Sequence, residues 1–405
     1  MRLNVVLHKI HLYRMIKQHW KVQRKKNPIE TNSEKTAKER GLEVVDINDV
    51  VKNEIQQERL KIIGVVDLPL VKDENHPLYN RKPCYTYGDH NVLLYGIDQA
   101  SVLCNSIVIN DLPPQFDKKI DEEIMLPDNV IQRCIKSSLL YDAEQKKLPK
   151  RKDPERPAWN FPRDYGITYK RKNHLLSSRL LQLCALSLNN KKSLKSIIQD
   201  AMFSVPLVID SNQVQLEIRA DVLLTSSSPL PCAVDPDYSS QFPIPDISPL
   251  HPLVSLQEDN IYQLQDIFPL KPGSHQKHVH TAILHYNETE VKNIYETPVT
   301  DSQVLSRSLV KSYAIAVAQA KHNYGAQIKD LPEPITIQTI QTNGQVFIFS
   351  VFQLNTLSLN GNIHNIFWSK PMIKLFSCCE YIEGKPVLQD FNSEVFQRMV
   401  SFYHK

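Results

Sequence analysis

The run from Thr300 to Asn323 ends in Ala316-Val317-Ala318-Gln319-Ala320, passes Tyr324-Gly325, and is followed by Ile335-Thr336-Ile337-Gln338-Thr339, Asn343-Gly344 and a return stretch closing on Val351-Phe352-Gln353-Leu354-Asn355-Thr356. Thr300 with Gln303 three residues on has the form of a capping box, and Gly325 follows the final turn, so a helix is predicted from Ser302 to about Asn323. Leu305, Leu309, Tyr313, Ala316, Val317 and Ala320 give this helix an apolar face whose small residues let a neighbour approach closely. The 335–339 stretch alternates apolar and polar residues as a half-buried strand does. Asn343-Gly344 supplies two positive-φ residues for a tight turn, and Gln345 to Leu354 reads as a largely buried return strand. A long helix laid on a hairpin is the expected centre of the fold.

On the N-terminal side, helices are predicted at Ile97 to Ile109, at Asp128 to Tyr141 behind Pro127, and at Asn173 to Leu188 with Leu176, Leu180, Leu183 and Cys184 on one side. Strands Ser204 to Ile209 and Val214 to Leu223 flank an Asp210-Ser211-Asn212 turn and form a second hairpin. Nine prolines between Pro229 and Pro272 mark an irregular ribbon lying on a surface. Ser393 caps a final amphipathic helix carrying Phe396, Val400 and Tyr403. There is no regular βαβ alternation and no solenoid-length repeat. The expected class is α+β, a mixed sheet with β-hairpins packed against helices, plus long polar and proline-rich extensions. The globular body is predicted over 62–405, starting with a short strand at Ile62-Ile63-Gly64-Val65-Val66, with a basic loop at 146–172 and the proline-rich ribbon at 229–272. Residues 27–61 form a polar extension whose Leu42, Val45, Ile47, Val50, Val51 and Ile55 give a weak helical stripe suited to docking.

At 405 residues and 41% hydrophobic content the chain can bury about three-quarters of its unfolded surface. The longest apolar candidate, Leu175 to Leu188, is interrupted by Ser177, Ser178, Arg179 and Gln182, so no run approaches the roughly 20 residues that cross a bilayer. No membrane association is expected. From Met1 to Lys26 there is no acid, while Arg2, Lys9, Arg14, Lys17, Lys21, Arg24, Lys25 and Lys26 are basic and Leu3, Val6, Ile10, Tyr13, Ile16 and Trp20 recur at helical spacing. A basic, acid-free amphipathic helix at the start of a chain has the form of a mitochondrial transit peptide, and residues 1–26 are read as one. The alternative is an ordinary amphipathic surface helix. Seven scattered cysteines without a Cys-x-x-Cys pair argue against a disulfide scaffold and a zinc knuckle, and buried free thiols are expected for most of them.

The net charge of +4 conceals segregation: residues 1–26 carry 8 basic groups and residues 146–172 carry 10 basic and 3 acidic, leaving the remainder acidic by 41 to 30. The second cluster comprises Lys146, Lys147, Lys150, Arg151, Lys152, Arg156, Arg163, Lys170, Arg171 and Lys172, broken by Pro149, Pro154, Pro157 and Pro162 and interleaved with Trp159, Phe161, Tyr165 and Tyr169. Its prolines forbid a continuous helix, so an extended backbone is expected. Cations neutralise phosphates with release of counterions, and exposed rings stack on unpaired bases for about 1–3 kcal/mol each. Those eleven residues, the ten cations and Trp159, are the candidate RNA contacts; the bland alternative is a solvated loop anchored to the core by Trp159 and Phe161.

Catalytic patterns are missing. The chain has ten glycines and neither a phosphate-cradling loop, a nucleophile elbow nor a His-Glu-x-x-His motif, so no catalytic residue, cofactor, metal or small-molecule substrate is expected. His275, His278 and His280, with His285 beyond, resemble a metal set, since His278 and His280 would share one strand face; without a nearby cysteine or carboxylate, and with Lys277 between them, the preferred reading is a solvated or RNA-facing cluster.

The 316–356 residues, with Asn75-His76-Pro77-Leu78-Tyr79, Cys84-Tyr85, Leu94, Gln99-Ala100, Leu112-Pro113 and Asn260-Ile261-Tyr262, resemble in order and spacing the blocks of the animal mitochondrial large-ribosomal-subunit protein 37 family. The resemblance covers roughly residues 75 to 365 and is poor from Lys146 to Leu230. It implies a non-catalytic structural constituent of the mitochondrial large ribosomal subunit, located in the matrix and supporting mitochondrial translation. The implied partners are ribosomal RNA and other large-subunit proteins, among them the paralogue programmed cell death protein 9. A matrix enzyme that binds or modifies RNA is the rival expectation.

Overall fold

A computed structural model describes residues 13–21, 31–45, 84–117, 126–150, 155–156, 162, 164–187, 195–259, 264–271, 273–287, 290–291, 297–325 and 327–405. The chain divides into two units, Met1–Asp73 and Glu74–Lys405.

In the first unit residues 13–21 are helical, with Tyr13, Met15, Ile16 and Trp20 exposed. A second helix, Asn32–Glu39, is capped by Thr31, whose hydroxyl accepts from the Glu34 amide, and none of its residues is buried. Leu42 and Val45 are exposed, and the strand expected at Ile62–Val66 lies outside the described residues.

The second unit contains β1 (Cys84–Tyr87), α1 (Ile97–Leu103), β2 (Ser106–Asn110), α2 (Asp128–Leu140), β3 (Lys146–Lys147), β4 (Tyr165–Gly166), α3 (Tyr169–Leu186), β5 (Ser196–Ile209), β6 (Asn212–Ser226), β7 (Gln257–Asp259), β8 (His278–His285), α4 (Asp301–Tyr324), β9 (Asp330–Thr342), β10 (Val346–Thr356), β11 (Asn365–Ser369), β12 (Ile373–Lys374), β13 (Cys378–Ile382), β14 (Lys385–Gln389) and α5 (Ser393–His404). Ten strands form one sheet in the order β2-β11-β10-β9-β8-β6-β1-β7, with β5 on β6 and β12 on β10. The pairs β1–β6, β2–β11 and β8–β9 are parallel and the others antiparallel, so the α+β architecture has a mixed sheet as its frame.

Both faces of this sheet are covered. On one, Ile337, Phe352, Leu354 and Phe367 pack with Leu309, Tyr313, Ala316, Val317 and Ala320 of α4, the rings of Tyr313 and Phe352 meeting edge to face at 6.1 Å. On the other, Phe347, Phe349, Val351, Ile366 and Trp368 pack with Ile131 and Ile135 of α2, Leu176 and Leu180 of α3, and Phe396, Val400 and Phe402 of α5. Removing a side chain of this size from water contributes about 1.5–3 kcal/mol, so these two layers dominate the stability of the fold.

Alternation in 335–339 predicted a half-buried strand, yet Thr336, Gln338, Thr339 and Gln341 are buried as well. Part of this polarity is satisfied inside: Ser312 Oγ lies 2.6 Å from Thr339 Oγ1, Thr281 Oγ1 donates to Gln338 Oε1 at 2.9 Å, and Gln341 Nε2 donates to the Val304 carbonyl at 3.1 Å, while Thr336 Oγ1, Gln338 Nε2 and Gln341 Oε1 have no hydrogen-bond partner among the described residues. Helix α4 is likewise buried nearly all round, with Ser306, Ser308, Lys311, Ser312 and Gln319 inside. Its capping box, with Thr300 and Gln303 exchanging hydrogen bonds, is present as expected.

Several local expectations change. The helix expected over Ile97 to Ile109 stops at Leu103; Asn105 turns the chain at φ 46°, and the β-branched run Ile107-Val108-Ile109 joins the sheet beside β11. Helix α3 begins four residues earlier than expected, at Tyr169, so Lys170, Arg171 and Lys172 form its first turn. The second hairpin is longer, with Asp210 and Ser211 both at positive φ in a two-residue turn. In the central hairpin only Gly344 has positive φ; the Asn343 carboxamide oxygen instead accepts from the amides of Gln345 and Val346. The last helix is capped by Asn392, with Ser393 its first residue. Only Cys84, Cys104 and Cys184 of the seven free cysteines are fully buried.

The proline-rich stretch is held to the sheet by Gln353, whose Oε1 accepts from the Ala233 and Val234 amides and whose Nε2 donates to the Val234 carbonyl. Leu230, Ile247, Leu253, Leu256 and Leu270 are buried along it.

Candidate nucleic-acid interface

Strands β3 and β4 pair Lys146 with Gly166 and Lys147 with Tyr165, and the Leu148 amide donates to the Asp164 carbonyl at 2.8 Å. This closes the base of the basic loop and brings Lys146 and Lys147 near the first turn of α3. Among the described residues, the candidate cations Arg171 and Lys146 are ion-paired within the chain. Arg171 pairs with Asp142 and, at 2.7 Å, with Glu144; Lys146 lies 2.8 Å from Glu144. The Arg171 guanidinium holds the Asp142 carboxyl below the usual carboxylate range. Lys147, Lys150, Arg156 and Lys170 are exposed and Lys172 is half-buried. Arg151, Lys152, Trp159 and Arg163 lie outside the described residues. Of the rings, Tyr165 is 68% exposed, whereas the Tyr169 hydroxyl donates to the carbonyls of Tyr286 and Asn343 and so fastens α3 to the central hairpin.

Sequence reasoning missed a second basic and aromatic surface. Along α2, Asn129, Gln132, Arg133, Lys136 and Ser137 fall at helical spacing on one stripe, and with Tyr141 and Pro386 they line a cleft of about 570 Å³. Tyr141 and Tyr381 meet edge to face at 5.7 Å and are 51% and 49% exposed. The spacing was legible; the approach of the β13–β14 hairpin was not.

A smaller polar pocket of about 170 Å³ opens beside exposed His90 and Lys170, and its inner lining includes Asp89, Arg219, Asp221, His285, Arg307 and Lys311. Ser177 Oγ is 2.8 Å from His285 Nε2, the His285 amide donates to Asp221 Oδ2 at 2.7 Å, and His285 Nδ1 is 3.4 Å from Asp221 Oδ1. Ser177 is buried within α3 and does not line the cavity, so these groups tie α3 to β6 and β8. Burial pushes the Asp221 carboxyl up, but the hydrogen bonds and charge of His285, aided by Lys311, override it and hold the group at about 2. Burial lowers the Lys311 ammonium, and Asp89 opposes that shift.

The histidines do not converge. His275 is exposed and His278 half-buried, while His280 occupies a bulge in β8, buried with Nε2 2.7 Å from Lys195 Nζ and Nδ1 2.7 Å from Thr281 Oγ1. His280 is therefore neither solvated nor RNA-facing, and burial followed by Lys195 holds its pKa well below the usual histidine value. Among the described residues no group of three histidine, cysteine or carboxylate side chains is placed to hold a metal ion.

A mixed sheet covered on both faces, with cations and half-exposed tyrosines at its surface, defines the class as an α+β protein. The chain belongs to the family described as mitochondrial 28S ribosomal protein S30 (PDCD9), which matches residues 189–405, from β5 to the last helix. It is similar to the large ribosomal subunit protein mL37 of Rattus norvegicus, 26% identical over 346 residues that cover 81% of this chain and 76% of that protein. The protein of the same name from Bos taurus is 26% identical over 348 residues, covering 82% and 77%, and that from Gallus gallus 24% identical over 348 residues, covering 82% and 76%. The resemblance carried by the 75–113 and 316–356 blocks is thereby confirmed.

Proposed function

We propose that this chain is a non-catalytic structural constituent of the large subunit of the mitochondrial ribosome, supporting translation by associating with ribosomal RNA and neighbouring ribosomal proteins. The observation that carries the reading is the similarity to proteins named large ribosomal subunit protein mL37 over about four fifths of the chain. The family description names a 28S protein instead, but its match is confined to residues 189–405, and the longer matches favour the large subunit.

Within that role the exposed cations of the 146–172 loop are the first RNA contacts we assign, with Lys147, Lys150, Arg156 and Lys170 at the surface. Counterion release makes such contacts salt-sensitive. Residues 1–26, free of acids, serve as the mitochondrial transit peptide. We assign the paralogue programmed cell death protein 9 as the protein partner, since related chains offer related surfaces for a two-fold-like pair. Sedimentation of a tagged copy from mitochondrial lysate tests the assignment. The chain is expected with the large subunit and is expected to leave that fraction after ribonuclease treatment; migration with the small subunit, or as a free monomer, overturns it.

A further inference from the structure

We propose that the α2 cleft receives an unpaired segment of RNA, its phosphates held by Arg133 and Lys136 and a base stacked on Tyr141 or Tyr381. This rests on the ribosomal reading and adds a surface separate from the 146–172 loop.

The cleft is built from one stripe of one helix. Ile131, Ile135, Ser138 and Leu139 turn α2 toward the core, which leaves Asn129, Gln132, Arg133, Lys136 and Ser137 outward. No carboxylate lines the cleft, and neither Arg133 nor Lys136 has an ion pair among the described residues. Arg179 reaches from α3 to the Ser137 hydroxyl at 2.7 Å; of the acids close in sequence, Asp128 begins α2 outside the cleft lining, and Asp142 and Glu144 are already bound to Arg171 and Lys146. On the facing hairpin the register pairs Tyr381 with Pro386 and Cys379 with Leu388, so by strand alternation Glu380 lies on the opposite face from the cleft-lining Pro386.

The tyrosines supply the second half of the site. Each is about half exposed although they touch each other edge to face, so each leaves ring surface open to solvent. Amide and hydroxyl groups of Asn129, Gln132 and Ser137 complement base edges and ribose. Cations that track a backbone beside rings that accept any base are how single strands are bound, and the cleft volume lies within the roughly 300–1,000 Å³ that ligand sites occupy. An acidic peptide would use the cations and leave the rings without a planar partner.

Ultraviolet crosslinking of large subunits carrying the full chain, followed by digestion and mass spectrometry, tests the proposal. Peptides containing Tyr141 or Tyr381 with a nucleotide adduct are expected. Purified full-length protein should also bind an oligouridine strand, with affinity falling about tenfold in Tyr141→Leu and with a shallower salt dependence in Arg133→Gln/Lys136→Gln. Circular dichroism of each variant shows whether it folds, and the wild-type adduct needs no variant. A chain that sediments with the large subunit yet gives adducts only elsewhere, or a protein crosslink at Tyr141 or Tyr381, overturns the cleft and leaves the ribosomal reading standing. A chain absent from the ribosome overturns both.

Discussion

The ammonium of Lys311 lies 2.6 Å from the Asp89 carboxylate, the lysine side chain 3% exposed and the aspartate 34%. The two residues are unequal. Removing the carboxylate strands a buried cation, which costs about 3–5 kcal/mol, whereas removing the cation leaves an acid that water can still reach. Asp89→Ala is therefore expected to lower the urea midpoint far more than Lys311→Met, which keeps the packing volume and stays within about 1.5 kcal/mol of the parent. Equal losses would show that the pair acts only as packing.

The turn of the central hairpin presses on α3. Gly344 has φ 90°, and a Cβ there would collide with Asn173 Oδ1. Gly344→Ala is expected to destabilise by about 1–3 kcal/mol, from the strained backbone together with the collision. Adding Asn173→Ala removes the collision and should restore part of the melting temperature, while the backbone strain persists. A double variant no better than Gly344→Ala places the whole cost in the backbone.

Asp221, His280 and Lys195 each contribute to the pH dependence of stability. Asp221 has a folded pKa of about 2 against an ordinary 3.8, so its stabilisation is complete above about 4 and lost as pH falls toward 2. His280 is held well below 6.5, so the unfolded chain takes up its proton first and stability declines as pH drops below about 6.5. Burial lowers Lys195 to about 7 from 10.5, so the unfolded chain again binds the extra proton, and stability rises with pH between about 7 and 10.5. Denaturant midpoints measured across this range should show all three slopes, with Lys195→Met flattening the alkaline one and Asp221→Asn the acid one.

Charge reversal in the basic loop tests its role in assembly. Substituting Lys150, Arg151 and Lys152 by glutamate is expected to weaken incorporation into the large subunit, most strongly at low salt, with the difference from the parent narrowing as salt is raised in the wash. Incorporation unchanged at every salt concentration would make the loop a solvated surface. Reversal at Arg171 is a poor test of RNA contact, because it also breaks the pairs with Asp142 and Glu144.

Legibility followed the range of the interaction. The capping box of Thr300 and Gln303 is written within four residues and was read correctly, as was the course of the 335–354 hairpin. The Ile97–Ile109 error arose where apolar periodicity continued across a change of structure; only the pairing of Ser106–Asn110 with Asn365–Ser369 ends the helix. The basic loop was found by composition, but the neutralisation of Arg171 was hidden because Asp142 lies 29 residues away. The α2 cleft was half visible: its stripe sits at local spacing, and its tyrosine partner comes from a hairpin more than two hundred residues later.

By itself the sequence determined the helix and strand preferences, the placing of charge and the family, because propensity, capping and block order are carried by residues close along the chain. Tertiary structure alone decided that both faces of the sheet are covered, that Thr339 and Gln341 are inside, and that Arg171 and Lys146 are drawn into ion pairs. The physical reason is that burial and ion pairing depend on separation in space, which sequence separation does not fix until the sheet has brought distant segments together.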